Sequence, residues 1–349
     1  MADGTILLTC AGKATRHSRY GKSKWALTHP TGNLMGAEAV LSMGSVVRGW
    51  DLVVAVNESD AELFGVDTIK LEFERAGLRA TIVVVGTPES RGLTVQRAIL
   101  EAKIDGALCV RDCDNALCFD LRPENAVAVC GLREAGRVDP AARSYVWLDE
   151  SKRVTFGHED GPVTDWFCAG AYVFADANDL LAVPLREHLT DTVDAMIEQD
   201  HIFYSRRVDH YEDWGTSEDW HRARSSYRTL FVDIDGTLLR SQHRSFNGGW
   251  GEGQPVLQRN CAALRELYSL GRVVVVLTTS RPEHWRVATL RQLAAADVPF
   301  DKLLMGLPAA GRVLINDTVP ERGERTASVI ELGRDADGDL GGWLKMVGL

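Results

Sequence analysis

The amino-acid sequence predicts an α/β protein that is built from two successive units. Two observations support this prediction. The chain has 349 residues, whereas one domain usually has ~100–200. Short apolar runs also alternate with helix-like segments in both halves, a pattern typical of a mostly parallel sheet that is covered by helices on both faces. The polar, basic stretch 221–228 separates the two alternations, so we predict domains at 1–224 and 225–349.

Four apolar runs of the first unit are predicted to be buried strands, because they are short, rich in strand-forming residues and bounded by Gly, Asp or Asn. Segments 67–77 and 89–103 carry apolar residues at helical spacing. After residue 120, strand-like runs follow one another with short turns, which predicts an antiparallel extension. Residues 189–199 then form a predicted helix with a threonine or aspartate cap. The four strands are TILLTC (5–10), LVVAVN (52–57), TIVVVG (81–86) and ALCVRD (107–112).

The second unit repeats the alternation of strands and helices. A strand is predicted at 229–234, a helix over 256–271 and a further strand at 272–279. A helix that begins near Pro282 and a strand over RVLIND (312–317) follow. This order predicts a second, smaller parallel sheet.

Composition excludes several classes of function. The formal net charge is −10, from 39 basic and 49 acidic residues, which makes the chain a poor non-specific binder of nucleic acid or anionic membranes. The seven cysteines are odd in number and form no CxxC pair, which favours reduced thiols in a reducing compartment. The sequence has neither a signal-peptide pattern nor an apolar run of ~18 residues. We therefore expect a cytoplasmic protein that contacts neither nucleic acid nor a membrane.

The loop that follows the first predicted strand combines a glycine with basic residues. Gly12 allows a tight turn and a close approach of the backbone to a ligand. Arg16, Lys22 and Lys24 bring positive charges to the carboxyl end of a parallel sheet, where ligands bind in such folds. Backbone N–H groups and cations together suit a phosphate. From these residues alone, a solvated basic turn is an equally good interpretation.

This loop and three later stretches resemble, in the right order, the motifs of sugar-phosphate nucleotidyltransferases. RDCDN (111–115) resembles the acidic metal-binding turn of that family, CAGAYVF (168–174) its AGxYxF strand, and DWGTSEDW (213–220) its closing DxGTPEDY motif. The resemblance implies a glycosyltransferase-A-like, Rossmann-like nucleotidyltransferase domain. The loop residues that match the family signature are Ala11, Gly12, Thr15, Arg16 and Lys24.

The resemblance also implies a reaction, in which an NTP donates its nucleotidyl group to a phosphorylated metabolite and pyrophosphate is released. Asp112 or Asp114 would hold Mg²⁺ together with Asp213. Arg16 and Lys24 would neutralise the charge of the reacting phosphorus and of the pyrophosphate. The residues that the resemblance places at the nucleotide or the substrate are Ala11, Gly12, Thr15, Gly92, Glu159 and Gly170.

Three positions depart from the family pattern. Ala14 replaces the second glycine of the loop, and Ser23 replaces its proline. Asp160 stands where the family often has a lysine that grips the sugar phosphate. Because that lysine is missing, the acceptor need not be a standard hexose 1-phosphate. A heptose phosphate or a phosphorylated polyol or amine stays open.

The stretch FVDIDGTLL (231–239) places two carboxylates two residues apart at the end of an apolar strand. Such side chains point to the same side of a strand, and a pair of buried carboxylates is costly without a cation. The stretch resembles motif I of the haloacid dehalogenase superfamily of phosphotransferases. The resemblance implies that Asp233 attacks phosphorus to form an aspartyl-phosphate. Asp235 would act first as the acid and then as the base.

Later segments resemble the other motifs of this superfamily. Thr279, with Thr278 in second place, fits the residue that hydrogen-bonds the transferred phosphoryl group. Asp317 lies at a predicted strand end and fits the acidic motif that would hold Mg²⁺ with Asp233 and Asp235. The implied domain is a haloacid dehalogenase-like, Rossmann-like fold.

Two features of this second domain are unusual for the superfamily. Leu307 stands where a lysine is usual, and Arg312 is a better replacement than Lys302. The segment between motif I and Thr279 has room for a flap and one helix but not for a large cap, so the cap is minimal. Residues 241–254 are glycine-rich, contain Trp250, and form either that flap or a surface loop.

The leading interpretation is a bifunctional, multidomain enzyme, a nucleotidyltransferase joined to a phosphatase that hydrolyses a phosphomonoester, with Mg²⁺ in both domains. Its partners would be an NTP and a phosphorylated small molecule, and association into a homo-oligomer stays open. Family analogy places it in the synthesis of surface glycan precursors. One alternative is a phosphatase whose first domain binds a nucleotide or nucleotide-sugar without catalysis. Another is a transferase with an inactive second domain.

Overall fold

The chain divides into two compact units, Met1–Arg224 and Ser225–Leu349. Each unit is described separately, from a computed structural model of the chain. The residues that the structure describes are 3–12, 23–86, 90–136, 138–156, 164–184, 186, 188–241, 250, 254–319, 324–338 and 340–346.

The first unit alternates strands and helices along the chain, as the sequence predicts. Its described strands are β1 (Gly4–Thr9), β2 (Trp50–Val56), β3 (Ala80–Val84), β4 (Leu108–Asp112), β5 (Asn115–Cys118), β6 (Ala126–Gly131), β7 (Val146–Leu148), β8 (Val154–Phe156), β9 (Trp166–Phe174), β10 (Tyr204–Arg207) and β11 (His210–Asp213). Its described α-helices are α1 (Met35–Leu41), α2 (Glu58–Phe64), α3 (Val66–Arg75), α4 (Arg91–Ala102), α5 (Ala177–Ala182), α6 (Leu189–Ile197) and α7 (Ser217–Ser225). Short 3₁₀ helices lie at Lys24–Ala26, Gly44–Gly49 and Pro140–Ala142.

Seven of these strands form one central sheet in the order β10-β6-β9-β4-β1-β2-β3. Apolar side chains alternate between its two faces, so Ile6 and Leu8 belong to one core and Leu7 to the other. Burial on both faces explains the nearly continuous apolar runs in β1, β2 and β4. The predicted parallel α/β sheet is therefore confirmed for this part of the chain.

The predicted antiparallel extension after residue 120 is only partly correct. Strand β9 runs antiparallel to β4 and β6, whereas β10 runs parallel to β6. Two further pairs, β5 with β11 and β7 with β8, are antiparallel and lie outside the central sheet. The reason is that β9 inserts between two strands that precede it in the chain. Neighbours in sequence do not reveal such an insertion.

Helix ends show where local sequence decides structure. Helix α4 begins after Ser90, whose hydroxyl accepts a hydrogen bond from Leu93 N at 3.2 Å and so satisfies one free donor of the first turn. Helix α6 departs from prediction, because His188 is its N-cap and makes no side-chain cap. The hydroxyl of Thr192 instead accepts from the backbone of Arg186 at 3.1 Å.

The second unit has a smaller parallel sheet with strand order β12-β13-β14. One core covers it, and that core includes Ile234, Leu264 and Val275. The described strands are β12 (Arg228–Asp233), β13 (Val273–Thr278), β14 (Lys302–Leu304), β15 (Thr318–Val319) and β16 (Glu324–Arg325). The described α-helices are α8 (Gln258–Ser269), α9 (Arg286–Ala295) and α10 (Leu340–Met346), with a 3₁₀ turn at Glu283–Trp285.

The strand predicted over 312–317 is wrong. These residues have no regular secondary structure, and Val313 and Ile315 are 87% and 90% exposed. The following strand β15 instead pairs with β16. Apolar, β-branched composition favours a strand, but a strand also needs a neighbouring edge for its hydrogen bonds. No described strand offers that edge to residues 312–317.

All seven cysteines are free thiols, and six of them are buried. Burial raises the pKa of Cys109 to about 12 and that of Cys261 to about 11, which keeps both protonated at neutral pH. Within the described residues, none of the helices is long and apolar enough to cross a membrane.

Candidate active sites

The first candidate site begins where β1 and β4 end side by side. Thr9 is paired with Asp112 in the parallel register, and its hydroxyl donates to Arg111 O at 3.1 Å. The chain leaves the sheet through Ala11, which is buried, and Gly12, around which a side chain would meet open space. The predicted residues Thr15 and Arg16 lie outside the described residues. This edge of the sheet is the expected position for a ligand.

Lys24 is brought to this edge by the short helix Lys24–Ala26, and its ammonium group contacts the carboxylate of Asp114. The helix is fixed by Asp60, which accepts from Ser23 Oγ at 2.6 Å and from Trp25 Nε1 at 2.8 Å. Trp25 itself is buried in the core. The structure therefore brings together Lys24 and Asp114, two residues that the sequence places in the same site.

The turn between β4 and β5 is held by Arg111, which the sequence analysis does not identify. Its side chain is fully buried and donates to Asn115 O at 2.7 Å, Asp112 O at 2.8 Å and Ala39 O at 3.2 Å. Burial lowers its pKa to about 10, so it stays positively charged at neutral pH. An arginine in an apolar strand is the available sequence signal, because a buried charge needs partners.

Asp112 lies against Gly170 of β9. A Cβ atom at Gly170 would stand 2.6 Å from Asp112 Oδ2 and 2.7 Å from Asn115 Nδ2, and the φ angle of Gly170 is +90°. Only glycine tolerates both conditions. The other carboxylate oxygen of Asp112 contacts Arg91, the first residue of α4, whose guanidinium lies 5.6 Å from the Tyr172 ring centroid.

Gly92 follows in the first turn of the same helix and is buried. The structure therefore places this predicted nucleotide-binding residue one position from an arginine that contacts Asp112. The predicted residue Glu159 lies outside the described residues.

The carboxylates of Asp114 and Asp213 both lie close to Gly215. Asp213 is paired with Asn115 where β11 meets β5, and Trp214 N donates to Asp114 O at 2.9 Å. A Cβ atom at Gly215 would stand 3.0 Å from Asp213 Oδ1 and 3.4 Å from Asp114 Oδ2. Gly215 N also donates to Asp213 Oδ1 at 3.0 Å. The DxGT stretch thus sets two carboxylates beside one small residue.

Asp213 also contacts Arg143, a second arginine that the sequence analysis does not identify. The guanidinium donates to Tyr211 Oη at 2.9 Å and lies over the rings of Phe167 and Tyr211. No local motif marks Arg143, because its partners lie on distant strands. Each predicted metal-binding carboxylate of this unit therefore has its own cation, in the pairs Asp112–Arg91, Asp114–Lys24 and Asp213–Arg143.

The donor set at Gly215 suits magnesium. Mg²⁺ prefers hard oxygen ligands and is usually held by one or two carboxylates together with substrate phosphates. Asp114 and Asp213 supply two such carboxylates, which converge on the small residue Gly215. Across the described part of the chain, no group of three or more His, Cys, Asp or Glu side chains could hold a metal ion. The residues present therefore fit an ion that is completed by phosphate oxygens.

The second candidate site begins at Asp233, the last residue of β12, which is paired with Thr278. Arg312 donates to Asp233 Oδ1 at 2.9 Å. Burial raises the pKa of Asp233, and Arg312 opposes that rise. Lys302, the other candidate cation, lies on β14 and is exposed. The contact therefore joins Asp233 with Arg312, the preferred replacement for the missing lysine.

Asp235 is held by a network of donors. The fully buried Arg281 donates to both carboxylate oxygens, with its Nη2 at 2.8 Å from Oδ1 and its Nε at 3.0 Å from Oδ2. Thr279 Oγ1 donates to Oδ2 and Gln254 Nε2 to Oδ1, each at 3.0 Å. Thr279 thus lies beside Asp235, while Thr278 Oγ1 donates to the backbone of β12. Arg281 and Gln254 were not among the predicted site residues.

The predicted metal ligand Asp317 is exposed. Its backbone carbonyl accepts from Thr326, and Asn316 Nδ2 donates to Thr326 Oγ1 at 3.0 Å. The contacts of this segment in the described residues join it to Thr326, and the structure does not bring Asp317 together with Asp233 and Asp235 as the predicted group of three metal ligands. In the predicted flap, Trp250 lies edge-on to Trp285 with ring centroids 6.1 Å apart. Residues 242–249 and 251–253 of that flap are outside the described residues.

Two solved structures share the fold of the first unit. The first is a nucleoside-diphosphate-sugar pyrophosphorylase of Vibrio cholerae RC9, which is 16% identical with a TM-score of 0.53 and covers 63% of this chain and 100% of that chain. The second was assigned as a glucose-1-phosphate thymidylyltransferase of Bacillus anthracis and solved with sucrose. It is 14% identical with a TM-score of 0.50 and covers 63% of this chain and 94% of that chain.

At these identities the likeness shows the fold alone. The N-terminal part of the chain has the Rossmann-like α/β fold of these two structures, with a central sheet dominated by parallel strands. No protein-family model and no curated protein matches the chain.

Proposed function

We propose that the first unit transfers a nucleotidyl group from an NTP to a phosphorylated metabolite and releases pyrophosphate. One observation carries the proposal. The carboxylates of Asp114 and Asp213 flank Gly215 beside the basic residue Lys24, in a unit with the fold of a nucleoside-diphosphate-sugar pyrophosphorylase. The motif order and the geometry thus support the same reaction.

The chemistry needs no protein nucleophile, because an oxygen of the acceptor phosphate attacks the α-phosphorus directly and pyrophosphate leaves. Mg²⁺ held by Asp114 and Asp213 would supply charge neutralisation between the two phosphates. Lys24 would then neutralise the charge of the pyrophosphate in addition to its contact with Asp114. Arg16 would have the same role. Gly92, buried in the first turn of α4, is the proposed backbone surface for the nucleobase.

The test is pyrophosphate release with ATP, CTP, GTP or UTP, each with a mixed pool of phosphorylated metabolites in Mg²⁺. The full chain carries Asp233→Asn, so that the second unit does not consume the acceptors. We expect release with one NTP, and a loss of about 100-fold or more in Asp213→Asn. Asp209→Asn, at an exposed aspartate before β11, is the matched control. No release with any NTP and pool would refute the proposal.

The same assay decides between Asp112 and Asp114 as the partner of Asp213. We expect Asp114→Asn to reproduce the loss in Asp213→Asn, since these two carboxylates share the space at Gly215. Asp112→Asn should cost less, because its carboxylate lies against Gly170 and Arg91. The opposite ranking would assign the metal to Asp112.

For the second unit we propose phosphomonoester hydrolysis through Asp233. This proposal rests on a half-buried carboxylate at a strand end, in contact with Arg312 and two positions before Asp235. Asp233 would attack phosphorus as the bond to the leaving oxygen breaks, and water would then hydrolyse the aspartyl-phosphate. Arg312 would balance the charge of the transferred group. Asp235 and Thr279 complete the proposed site.

Hydrolysis of p-nitrophenyl phosphate by the full chain tests this second activity. We expect Asp233→Asn to abolish it, whereas Asp301→Asn, at an aspartate that instead binds the backbone of Val275, leaves it detectable. Equal rates in wild type and Asp233→Asn would exclude the mechanism. Hydrolysis without any nucleotidyl transfer, but with NTP binding, would favour the alternative in which the first unit is a nucleotide sensor.

A further inference from the structure

Arg143 stands at the point where the site carboxylate Asp213 meets an aromatic wall. Its guanidinium contacts Asp213 Oδ2, and its carbon Cζ lies 5.5 Å from the Phe167 ring centroid and 5.9 Å from that of Tyr211. The two rings are themselves packed edge to face at 5.3 Å. The arginine side chain is 14% exposed and Asp213 is 8% exposed. The ion pair is therefore largely withdrawn from water.

A divalent cation at Asp213 would compete with Arg143 for the negative charge of that carboxylate. Asp213 Oδ1 already accepts from Gly215 N, and Oδ2 is taken by Arg143. A cation that coordinates this carboxylate would bring a second positive charge close to the guanidinium of Arg143. Two like charges within a few ångströms also repel each other, the more so because burial reduces screening.

Displacement from Asp213 does not release Arg143 from the site. Its Nη1 still donates to Tyr211 Oη at 2.9 Å, and the faces of two rings still hold the guanidinium plane. Burial raises the pKa of Tyr211, so its hydroxyl stays protonated at neutral pH. The Nε of Arg143 is buried and has no hydrogen-bond partner among the described residues. The guanidinium of Arg143 thus stays beside the two rings and can bind another anion in place of Asp213.

We propose that Arg143 is the residue that binds the phosphate of the acceptor. It holds Asp213 in the ligand-free protein and passes to the acceptor phosphate when a divalent cation takes that carboxylate. The planar fork of an arginine suits two oxygens of a phosphate. The acceptor class selected in this way is a phosphomonoester dianion, and cation and acceptor bind cooperatively. This inference rests on the proposed nucleotidyl transfer and names the group that recognises its acceptor.

The first test measures Mn²⁺ binding to the full chain without substrates, by electron paramagnetic resonance. Only the part of the binding that Asp213→Asn removes is assigned to this site. We expect Arg143→Gln to bind Mn²⁺ about tenfold more tightly, because the cation no longer competes with a guanidinium. Arg206→Gln, which removes an arginine paired with Glu124, is the matched control and should change nothing. Unchanged or weaker binding in Arg143→Gln overturns the competition.

The second test measures binding of inorganic phosphate at saturating Mn²⁺, by the paramagnetic relaxation of its ³¹P signal. We expect Arg143→Gln to weaken the Asp213-dependent binding about tenfold. Arg143→Lys keeps the charge but loses the fork, so its phosphate affinity should fall while its Mn²⁺ affinity stays near wild type. Equal phosphate affinity in wild type and both variants overturns the acceptor role.

The outcomes separate this inference from the transfer reaction itself. Absence of pyrophosphate release in the wild type counts against nucleotidyl transfer, while the two binding measurements still decide the role of Arg143. Where transfer is observed, Arg143→Lys should raise the KM for the acceptor about tenfold and leave the KM for the NTP within about twofold. Equal increases in both KM values would show a merely structural role. If Arg143→Gln does not fold, Arg143→Lys alone carries the phosphate-binding and kinetic tests, and equal phosphate affinity in it and the wild type overturns the acceptor role.

Discussion

The two units hold their site carboxylates in different ways. Among the described residues of the first unit, each predicted metal-binding carboxylate is paired with a basic side chain, and each of those side chains keeps some exposure. In the second unit, Asp235 is held by Arg281, whose side chain has no exposure. Arg281 donates in addition to Gln254, Thr289 and Gln292. The first unit therefore has carboxylate–cation pairs, whereas the second has a hydrogen-bond network in which one buried arginine joins several side chains.

This difference indicates which contacts a ligand can replace. A carboxylate that is paired with one basic side chain can exchange that partner for a metal ion, and the basic side chain can then bind a phosphate. A buried network is costly to open, because each member that loses its partner keeps its desolvation cost. We therefore expect the basic side chains of the first unit to bind ligands. Arg281 is instead expected to hold the carboxylate of Asp235 in place.

The largest effect that tests this comparison is on stability. Arg281→Ala would leave the carboxylate of Asp235 without its buried partner, and we expect a loss of about 3–5 kcal/mol in the second unit. Hydrogen exchange measured by mass spectrometry on peptides from β13 reports the opening of that unit alone. Exchange should become faster there and stay unchanged in β1 and β2.

Arg312→Ala provides the contrast within the same unit. Its side chain is 45% exposed and contacts one oxygen of Asp233. We expect a change of at most about 1 kcal/mol in the same measurement. Equal losses in the two variants would show that burial does not distinguish Arg281 from Arg312.

A smaller effect on stability is expected at Gly170, which lies against the site carboxylate of Asp112. Gly170→Ala would force a Cβ atom to within 2.6 Å of Asp112 Oδ2 at a φ of +90°. We expect a loss of about 2–3 kcal/mol in that unit, together with slower nucleotidyl transfer, because the carboxylate must move. Thermal unfolding and pyrophosphate release measure the two consequences.

Gly77→Ala separates the backbone cost from the steric cost. Gly77 has a φ of +81°, but nothing lies within 4 Å of its Cβ position. We expect about 1 kcal/mol from the backbone conformation alone and no change in transfer. Equal costs at both glycines would mean that the carboxylate of Asp112 moves away freely.

The sequence predicts those parts of the first site that depend on local order. The loop after β1 and the turn after β4 lie side by side because parallel strands end at one edge of a sheet, and Lys24 reaches Asp114 there. It does not predict Arg91 or Arg143 as partners of the carboxylates, because those contacts join segments far apart in the chain. The composition of a segment indicates its preferred secondary structure, but it does not indicate which distant residues the segment contacts.

In the second unit, an apolar run predicts one strand correctly and another incorrectly. Strand β13 follows from its apolar run, and Thr279 reaches the site because it comes directly after that strand. Residues 312–317 also contain an apolar run but have no strand partner among the described residues, so the pattern alone misleads. Arg312 nevertheless contacts Asp233, as the missing lysine leads one to expect. The contact therefore does not depend on the predicted strand.

The smallest expected effect is a change in the pH dependence of hydrolysis. Burial raises the pKa of Asp233, and the positive charge of Arg312 opposes this rise. Asp233 attacks as a carboxylate, so the rate should fall as the pH drops through that raised pKa. The raised value also means that the contribution of Asp233 to folding stability is present at low pH and is lost as the pH rises through its folded pKa.

Arg312→Ala removes the opposing charge, so the pKa of Asp233 should rise further and the acid limb of the rate profile should move to higher pH. The measurement is kcat/KM for p-nitrophenyl phosphate between about pH 4 and pH 8, which covers the range in which a carboxylate with a raised pKa titrates. Lys302→Ala is the control, and its limb should coincide with that of the wild type. A limb that stays in place in Arg312→Ala, or moves to lower pH, would show that Arg312 does not set the charge of the nucleophile. The exposed pair of the second unit would then be a surface contact, and only the buried network around Asp235 would distinguish this site from the rest of the sheet edge.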